Sequence, residues 1–292
     1  MSPPSTAVEI ADGGDRRLDD YRRLNDQRFR RGFEGDELFV AEGFVAVDRL
    51  LESGHRVRSL LLAPSRVERF THFDELAARG VPVYVAGRDV IADVVGFDLH
   101  RGVLAAAERR PLPAVESLAT TATRLGVLEG LNDPENLGAI ARAARAFGLD
   151  GLVIDPTCTD PYSRRTVRVS MGEVLHLPVA RADDWPGALT TLTAAGFETW
   201  AMTPAPAATD VWTLDPPERL ALLLGAEGPG LSASAMELAT ARVRIPIAPD
   251  VDSLNVGQAA AVAFAAVSRA DRHSASRTSA ATTDPTRISR GS

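Results

Sequence analysis

Short apolar runs alternate with amphipathic stretches along the first third of the chain. The apolar runs have the length of strands, and the stretches between them repeat apolar residues at helical spacing. Strands are expected at 38–41, 57–63, 81–86 and 103–107. Helices are expected at 44–51, 67–78 and 89–95. The alternation predicts a small α/β layer fold over residues 15–110.

A second alternation occupies residues 124–272, after a proline-containing segment at 111–123 that has the composition of a linker. Strands are expected at 124–129, 152–154, 199–202, 220–224 and 243–246. Helices are expected at 137–147, 185–195, 233–240 and 256–270. The run LALLL is apolar on both faces, as in a parallel strand covered by helices, so the second unit is predicted to hold a mostly parallel sheet. Residues 1–14 and 273–292 lack apolar periodicity and are expected to be disordered tails.

Composition adds few constraints. Hydrophobic residues make up 45% of the 292, which is typical of a globular protein, and no apolar run is long enough for a membrane span. Cys158 is the single cysteine, and the N-terminus lacks the features of a signal peptide, so a cytoplasmic enzyme is expected. The five histidines and one cysteine form no ligand-spaced cluster, and no metal is expected.

The formal charge of −7 argues at first against a nucleic-acid partner. All 32 basic residues are arginine, however, and binding to phosphate depends on the local field. Arginines cluster in residues 15–31 and again at Arg164, Arg165 and Arg168. Each cluster is a candidate for contact with an RNA backbone, and a solvated or salt-bridged surface is the alternative.

Three segments, each after an expected strand of the second unit, carry the candidate chemistry. The first, NDPENLGAIARAARAFG at 132–148, predicts an amphipathic helix capped by Asn136 with Arg142 on its polar face. The second, LLLGAEGPGLS at 222–232, brings three glycines to a strand end, where a backbone can approach a ligand closely. The third, IPIAPDVDSLNVGQAAAVAFAAVSR at 245–269, predicts a buried apolar helix capped by Ser253 or Asn255.

In this order and spacing the three segments resemble the motifs of the SpoU family in the SPOUT superfamily of knotted methyltransferases. The first holds Asn136, Gly138 and Arg142, and the second holds Gly225, Glu227 and Gly228. The third holds Ile245–Pro246 and Ser253–Asn255. One departure is Gly257–Gln258, where a serine usually stands at the first position. FVAEGFVAVDRLLESG at 39–54 also resembles the substrate-binding domain that often precedes this catalytic domain.

The resemblance implies an S-adenosylmethionine-dependent ribose 2′-O-methyltransferase acting on RNA, with ribosomal RNA favoured by the separate first unit. It also implies a deep trefoil knot, which is otherwise nearly absent from proteins, and a homodimer with active sites built across its interface. The implied cofactor residues are Thr203, Gly225, Glu227, Gly228, Ile245, Ile247 and Leu254. The implied catalytic residues are Asn136, Arg142, Ser253 and Asn255.

The resemblance implies a catalytic role for Arg142, for which there are two alternatives. Family schemes make it the base that removes the ribose proton. A guanidinium is almost never neutral, however, so gripping the target phosphate and stabilising the developing alkoxide is the alternative.

Two further functions remain open at this point: the same chemistry on tRNA, and a non-catalytic RNA-binding protein that retains the knot. A nucleotide-dependent oxidoreductase is disfavoured, because the glycine fingerprint it needs is missing.

Overall fold

The computed structural model describes residues 6–26, 37–99 and 102–280, with side chains described as far as Ser268. These residues form two α/β units, each built on its own sheet. The α/β class with a parallel sheet, expected from the apolar patterning, is therefore confirmed. Residues 27–31 of the first arginine cluster and 281–292 of the expected C-terminal tail lie outside the described residues.

The first unit holds a five-stranded sheet in the order β1-β4-β3-β5-β2. Its strands are β1 (Ala7–Ile10), β2 (Leu38–Glu42), β3 (Val57–Leu62), β4 (Val83–Ala86) and β5 (Val103–Glu108). Its helices are α1 (Phe44–Glu52), α2 (Phe73–Ala78) and α3 (Arg88–Val95), with 3-10 turns at Arg16–Tyr21 and Pro64–Arg69. Helices α1 and α2 pack on one face of the sheet, and α3 packs on the other.

The second unit holds a seven-stranded sheet in the order β10-β12-β9-β11-β6-β7-β8, with all pairs parallel. Its strands are β6 (Arg124–Glu129), β7 (Gly151–Ile154), β8 (Val179–Arg181), β9 (Glu198–Met202), β10 (Thr209–Asp210), β11 (Leu220–Gly225) and β12 (Ala241–Arg244).

The second unit has six α-helices among the described residues, of which the first precedes the first strand and the other five follow strands of the sheet. They are α4 (Val115–Thr121), α5 (Pro134–Phe147), α6 (Arg164–Val169), α7 (Gly187–Ala194), α8 (Ala233–Leu238) and α9 (Val256–Ala280), with 3-10 turns at Glu173–His176 and Val211–Thr213. Helices α5 and α9 cover one face, and α4, α7 and α8 cover the other. The central strands are thus buried on both sides, as the run LALLL indicated.

The structure corrects several expected boundaries. Residues 7–10 of the expected N-terminal tail form β1 and pair with β4. The expected linker at 111–123 contains α4, whose Val115 and Leu118 pack into the core of the second unit. Helix α9 continues to Ala280, into the segment expected to be a tail. The single helix expected at 67–78 is a 3-10 turn followed by the short α2.

The two units share one hydrophobic core and meet at a polar junction, called here the domain joint. It consists of Glu42, His55 and Arg109 from the first unit and Asp160, Tyr162 and Arg164 from the second. Arg109 pairs with Asp160 at 2.7 Å, and Arg164 pairs with the buried Glu42. The ring nitrogen Nε2 of His55 lies 3.4 Å from the hydroxyl of Tyr162. Buried apolar residues of both units belong to one continuous cluster beneath these contacts.

Candidate active site

Residues of all three motif segments meet at the carboxyl ends of the central parallel strands. Asn136 lies in the first turn of α5, Glu227 lies in the turn after β11, and Asn255 lies immediately before α9. The side-chain amide of Asn255 donates to Asn136 Oδ1 at 3.0 Å and to Glu227. The amide of Asn136 donates to Glu227 Oε1 at 3.2 Å. We call these three hydrogen-bonded residues the amide cluster.

The orientation of Asn255 follows from its position as a helix cap. Its Oδ1 accepts from the backbone N–H groups of Gly257 at 3.0 Å and Gln258 at 3.2 Å, which are free at the first turn of a helix. Because the oxygen is held in this way, the amide nitrogen faces Asn136 and Glu227. Of the two expected caps for α9, Asn255 therefore fills the role.

The cap of α5 differs from the expectation. Asp133 precedes the helix, its carboxylate accepts from Glu135 N–H at 2.8 Å, and Pro134 occupies the first helical position. Proline is favoured there because the missing N–H would have no partner. Asn136 is therefore inside the first turn, where its side chain is available to the amide cluster.

Two glycines of the motifs allow close approach of the chain. A Cβ at Gly225 would lie 2.2 Å from the carbonyl carbon of Gly230 and 2.3 Å from the nitrogen of Leu231. A Cβ at Gly138 would lie 2.9 Å from Val169 Cβ and from the carbonyl oxygen of Thr166. The first contact folds the turn after β11 back on itself, and the second lets α5 pack tightly against α6.

Gly257 is the second residue after the Ser253–Asn255 motif. A Cβ there would lie 3.2 Å from both Ala139 Cβ and Asn255 Oδ1, so α9 approaches α5 closely at its first turn. Buried Gly257 thus contributes packing beside the amide cluster.

The expected cofactor residues follow three neighbouring strands of the sheet. Thr203 follows β9, Gly225 ends β11, and Ile245 follows β12, and these strands are adjacent in the order β12-β9-β11. The backbone N–H of Thr203 donates to the carbonyl of Val243 at 2.9 Å, which joins the first and third of these strand ends. Ligands of parallel α/β sheets bind at such carboxyl ends.

The remaining expected cofactor residues lie in the loops that follow β11 and β12. Ile247 and Leu254 are half-buried in the loop between β12 and α9, and Gly228 is exposed at a φ of 86° in the turn after β11.

Two expected catalytic residues lie outside the amide cluster. Ser253 is exposed in the loop before α9, and its hydroxyl makes no hydrogen bond within the described part of the chain. Arg142 is six residues after Asn136, which places it about 9 Å along α5 and about 120° around it. It is exposed and has no ion pair or hydrogen bond among the described residues. A single protomer therefore does not bring Arg142 to the amide cluster.

Three arginines expected to contact RNA lie on α6, which the sequence did not indicate as a helix. Arg164 is held at the domain joint by Glu42 and by Asn25 Oδ1 at 2.8 Å. The Nε of exposed Arg165 donates to Glu135 at 2.8 Å. Arg168 is half-buried and has no ion pair or hydrogen bond among the described residues.

Glu129 supports the site and was not expected from the sequence. It is 9% exposed at the carboxyl end of β6, accepts from Trp185 Nε1 at 2.6 Å and accepts from the backbone N–H of Ser232 at 2.8 Å. It thus anchors the end of the turn that begins at Gly225. A carboxylate at the last position of an apolar strand is the sequence signal that could have identified it.

The site offers no cysteine nucleophile or metal centre in the residues described. Burial, together with a hydrogen bond involving the Asp155 carboxylate, raises the pKa of the Cys158 thiol to about 12, so the thiolate is absent at neutral pH. No group of three or more histidine, cysteine, aspartate or glutamate residues in the described ranges is placed to hold a metal ion. Across the same ranges, no helix has the length and apolar character needed to cross a bilayer.

Comparison with known proteins identifies the family of this chain. Residues 125–265 match the SpoU rRNA Methylase family, and residues 40–113 match the family described as RNA 2′-O ribose methyltransferase substrate binding. An uncharacterized tRNA/rRNA methyltransferase of Mycobacterium tuberculosis is 45% identical over 269 residues, covering 91% of this chain and 93% of the relative. The chain belongs to the SpoU family and is an RNA methyltransferase.

Two further similarities involve proteins with more specific descriptions. The 23S rRNA (guanosine(2553)-2′-O)-methyltransferase of Bacillus subtilis is 26% identical over 254 residues, covering 87% of this chain and 96% of the relative. The structure of an AdoMet-bound rRNA methyltransferase from Sinorhizobium meliloti superposes with a TM-score of 0.75 at 29% identity, covering 91% of this chain and 98% of that one. The two-unit architecture is thus common to this chain and a solved methyltransferase.

Proposed function

We propose that this enzyme transfers the methyl group of S-adenosylmethionine to a ribose 2′-oxygen of ribosomal RNA. The observation that carries the proposal is the amide cluster, which joins Asn136, Glu227 and Asn255 from the three motif segments at one edge of the sheet. The choice of ribosomal RNA and of the 2′-oxygen is supported by the descriptions of the Bacillus subtilis and Sinorhizobium meliloti proteins.

The residues at the strand ends fit S-adenosylmethionine, as the bound cofactor of the Sinorhizobium meliloti protein also suggests. The turn at Gly225 leaves no room for a side chain, so backbone groups line that side of the pocket. We place the cofactor among Thr203, Gly225 and the loop from Ile245 to Leu254. Half-buried Ile245, Ile247 and Leu254 would supply apolar contacts, and Glu227 would hold the loops together. When bound, S-adenosylmethionine supplies an electrophilic methyl group.

The chain's own residues orient the ribose and stabilise charge. A carbon–oxygen bond forms to the 2′-oxygen while the methyl–sulfur bond breaks, and the hydroxyl proton leaves to water or a base. We assign to Arg142 the bidentate grip on the neighbouring phosphate and the stabilisation of the developing alkoxide, because a guanidinium stays charged. Asn136, Asn255 and Ser253 would hydrogen-bond in this site.

We infer that the active unit is a homodimer in which Arg142 serves the partner's cofactor site. Arg142 points away from the amide cluster of its own protomer and is exposed. In addition, Ala261, Val262, Ala265 and Ala266 of α9 are half-buried and apolar, a composition that suits burial against a second copy. We also infer that the segment leading into α9 threads a loop to form the trefoil knot, in keeping with the contact between Asn255 and Asn136.

The first test is transfer of labelled methyl from S-adenosylmethionine to purified ribosomal RNA and, separately, to tRNA, followed by alkaline digestion. A 2′-O-methyl group blocks cleavage at its own nucleotide, so label in alkali-resistant dinucleotides from ribosomal RNA is expected. Label in dinucleotides from tRNA would identify tRNA as the substrate. Label in mononucleotides would show that the methyl group is attached to a base. Cofactor binding without transfer to either RNA would favour a non-catalytic RNA-binding protein.

Subunit complementation tests the shared site. Arg142→Ala and Asn255→Ala proteins are each expected to be inactive, and a refolded or co-expressed equal mixture should regain about a quarter of wild-type activity. Half of the dimers are then mixed, and each mixed dimer holds one site with both residues intact. A mixture as inactive as its components would place Arg142 and Asn255 in the same protomer's site.

A further inference from the structure

A cleft of about 400 Å³ separates the two units beside the domain joint. Asn25, Glu42, Phe97 and Asp98 line it from the first unit, and Arg164, Arg165 and Arg168 line it from α6 of the second. Its volume lies within the range of about 300–1,000 Å³ that is typical of ligand sites. We call it the inter-unit cleft.

The carboxylates of the inter-unit cleft already have cationic partners. Glu42 pairs with Arg164, and Asp98 pairs with Arg88. Arg168 has no ion pair among the described residues, so its charge is uncompensated. Arg165 pairs with Glu135, but both side chains are about half exposed, and such pairs contribute little to stability. The cleft therefore favours an anion at Arg168 and Arg165.

Flat surfaces lie beside this positive charge. The guanidinium of Arg164 stacks over the Phe97 ring at 4.9 Å, and its contacts with Glu42 and Asn25 fix that plane. Phe97 is partly exposed. Unpaired RNA bases stack on aromatic rings and on arginine planes, whereas paired bases in a helix offer no free face.

We propose that the inter-unit cleft binds one unpaired nucleotide of the RNA substrate, with Arg168 and Arg165 on its phosphate and the Phe97–Arg164 stack against its base. This inference rests on the proposed function in taking RNA as the substrate. The position supports it, because α6 packs directly on α5 at Gly138 and Arg165 pairs with Glu135, the neighbour of Asn136. A nucleotide held here lies beside the helix that carries the catalytic arginine.

The experiment measures binding of the full-length protein to a fluorescein-labelled single-stranded RNA hexamer and to a duplex of equal length, by anisotropy at several salt concentrations. Arg168→Gln is expected to weaken single-strand binding about tenfold and to reduce the slope of log K against log salt by about 0.7. Phe97→Leu is expected to weaken it about tenfold with the slope unchanged, since stacking releases no counterions. Duplex binding should change little with Phe97→Leu.

The matched control is Arg79→Gln, which removes an exposed arginine paired with Glu75 on α2, on the opposite face of the first sheet. It should bind the hexamer like the wild type. Wild-type affinity for both cleft variants would overturn the proposal and leave the cleft as a joint between units. Equal weakening by Arg79→Gln would also overturn it, by indicating diffuse charge. Failure of the proposed function can be distinguished from failure of the cleft proposal. In the first case the wild type would show no methyl transfer, but the cleft variants would still weaken RNA binding.

Discussion

The amide cluster and the domain joint both bring distant parts of the chain together, but with different chemistry. The amide cluster uses two asparagines and one glutamate beside glycines, and exposed Arg142, further along α5, pairs with no described residue. The domain joint uses ion pairs, Arg109 with Asp160 and Arg164 with Glu42, around a buried histidine. The first arrangement keeps backbone groups and a cation available for a ligand, whereas the second uses its charges internally. The difference predicts that substitutions at the cluster change catalysis and that those at the joint change stability.

The largest effect is expected at the unpaired cation. Arg142→Ala should lower methyl transfer by about 10²–10³-fold, the typical cost of losing one group that stabilises a developing oxyanion, with affinity for S-adenosylmethionine unchanged. Single-turnover rates and calorimetric titration of the cofactor give the two quantities. Arg145→Ala is the control, since Arg145 lies one turn further along α5 and faces Glu173. Parallel loss of cofactor affinity in Arg142→Ala would contradict the assigned role.

The next effect is at the turn after β11. Gly225→Ala places a Cβ within 2.5 Å of backbone atoms of Gly230 and Leu231, so the turn must move. Overpacking of this kind costs about 1–3 kcal/mol. Because the cofactor must restore the displaced turn when it binds, its affinity should fall by up to the same free energy, about 5- to 150-fold. Gly87→Ala is the control, because a Cβ at Gly87 meets no atom within 4 Å. Unchanged cofactor affinity in Gly225→Ala would show that this turn does not form part of the cofactor pocket.

The sequence predicts the strands and loops around the candidate site but little of the joint. Strand β6 was expected at its observed bounds, and the motif loops follow their expected strands, because apolar runs and glycine turns are local signals. The cap at Asp133 was missed although Pro134 marks the helix start. Helix α6 was missed because three arginines obscure its periodicity. Pairing of Arg164 with Glu42 leaves no sequence pattern, since it joins residues 122 positions apart.

At the joint, pH should act on stability through His55. Burial, with smaller contributions from Arg110 and His176, lowers the pKa of this histidine from 6.5 to about 4. The unfolded chain therefore binds the proton first as pH falls, so the stabilisation is complete above pH 6.5 and is lost between pH 6.5 and 4. From pH 7.5 to 5 the loss due to His55 should be about 2 kcal/mol.

Urea unfolding of the wild type and His55→Gln at both pH values isolates this contribution, because the other titrating groups are common to both proteins. The wild type should lose more stability than the variant on going to pH 5. An equal loss in both would exclude His55 as the source, and the neutral ring's contact with Tyr162 would then be incidental to the joint.

The smallest effect is expected from the ion pair that crosses the joint. Arg109 is 13% exposed and lies 2.7 Å from Asp160, which is 38% exposed, so the pair is partly screened and its coupling should be about 1 kcal/mol. Arg109 also donates to the Leu38 carbonyl at 2.8 Å and lies over the Tyr162 ring, so Arg109→Ala alone should cost more than the coupling. A double-mutant cycle with Asp160→Ala, measured by urea unfolding, separates the two contributions. Cofactor affinity should be equal in all four proteins, because none of these contacts reaches the strand ends where the motif loops meet. If cofactor affinity instead changed with these substitutions, the joint would also position the site. The proposed division, with catalysis at the amide cluster and stability at the joint, would then be wrong.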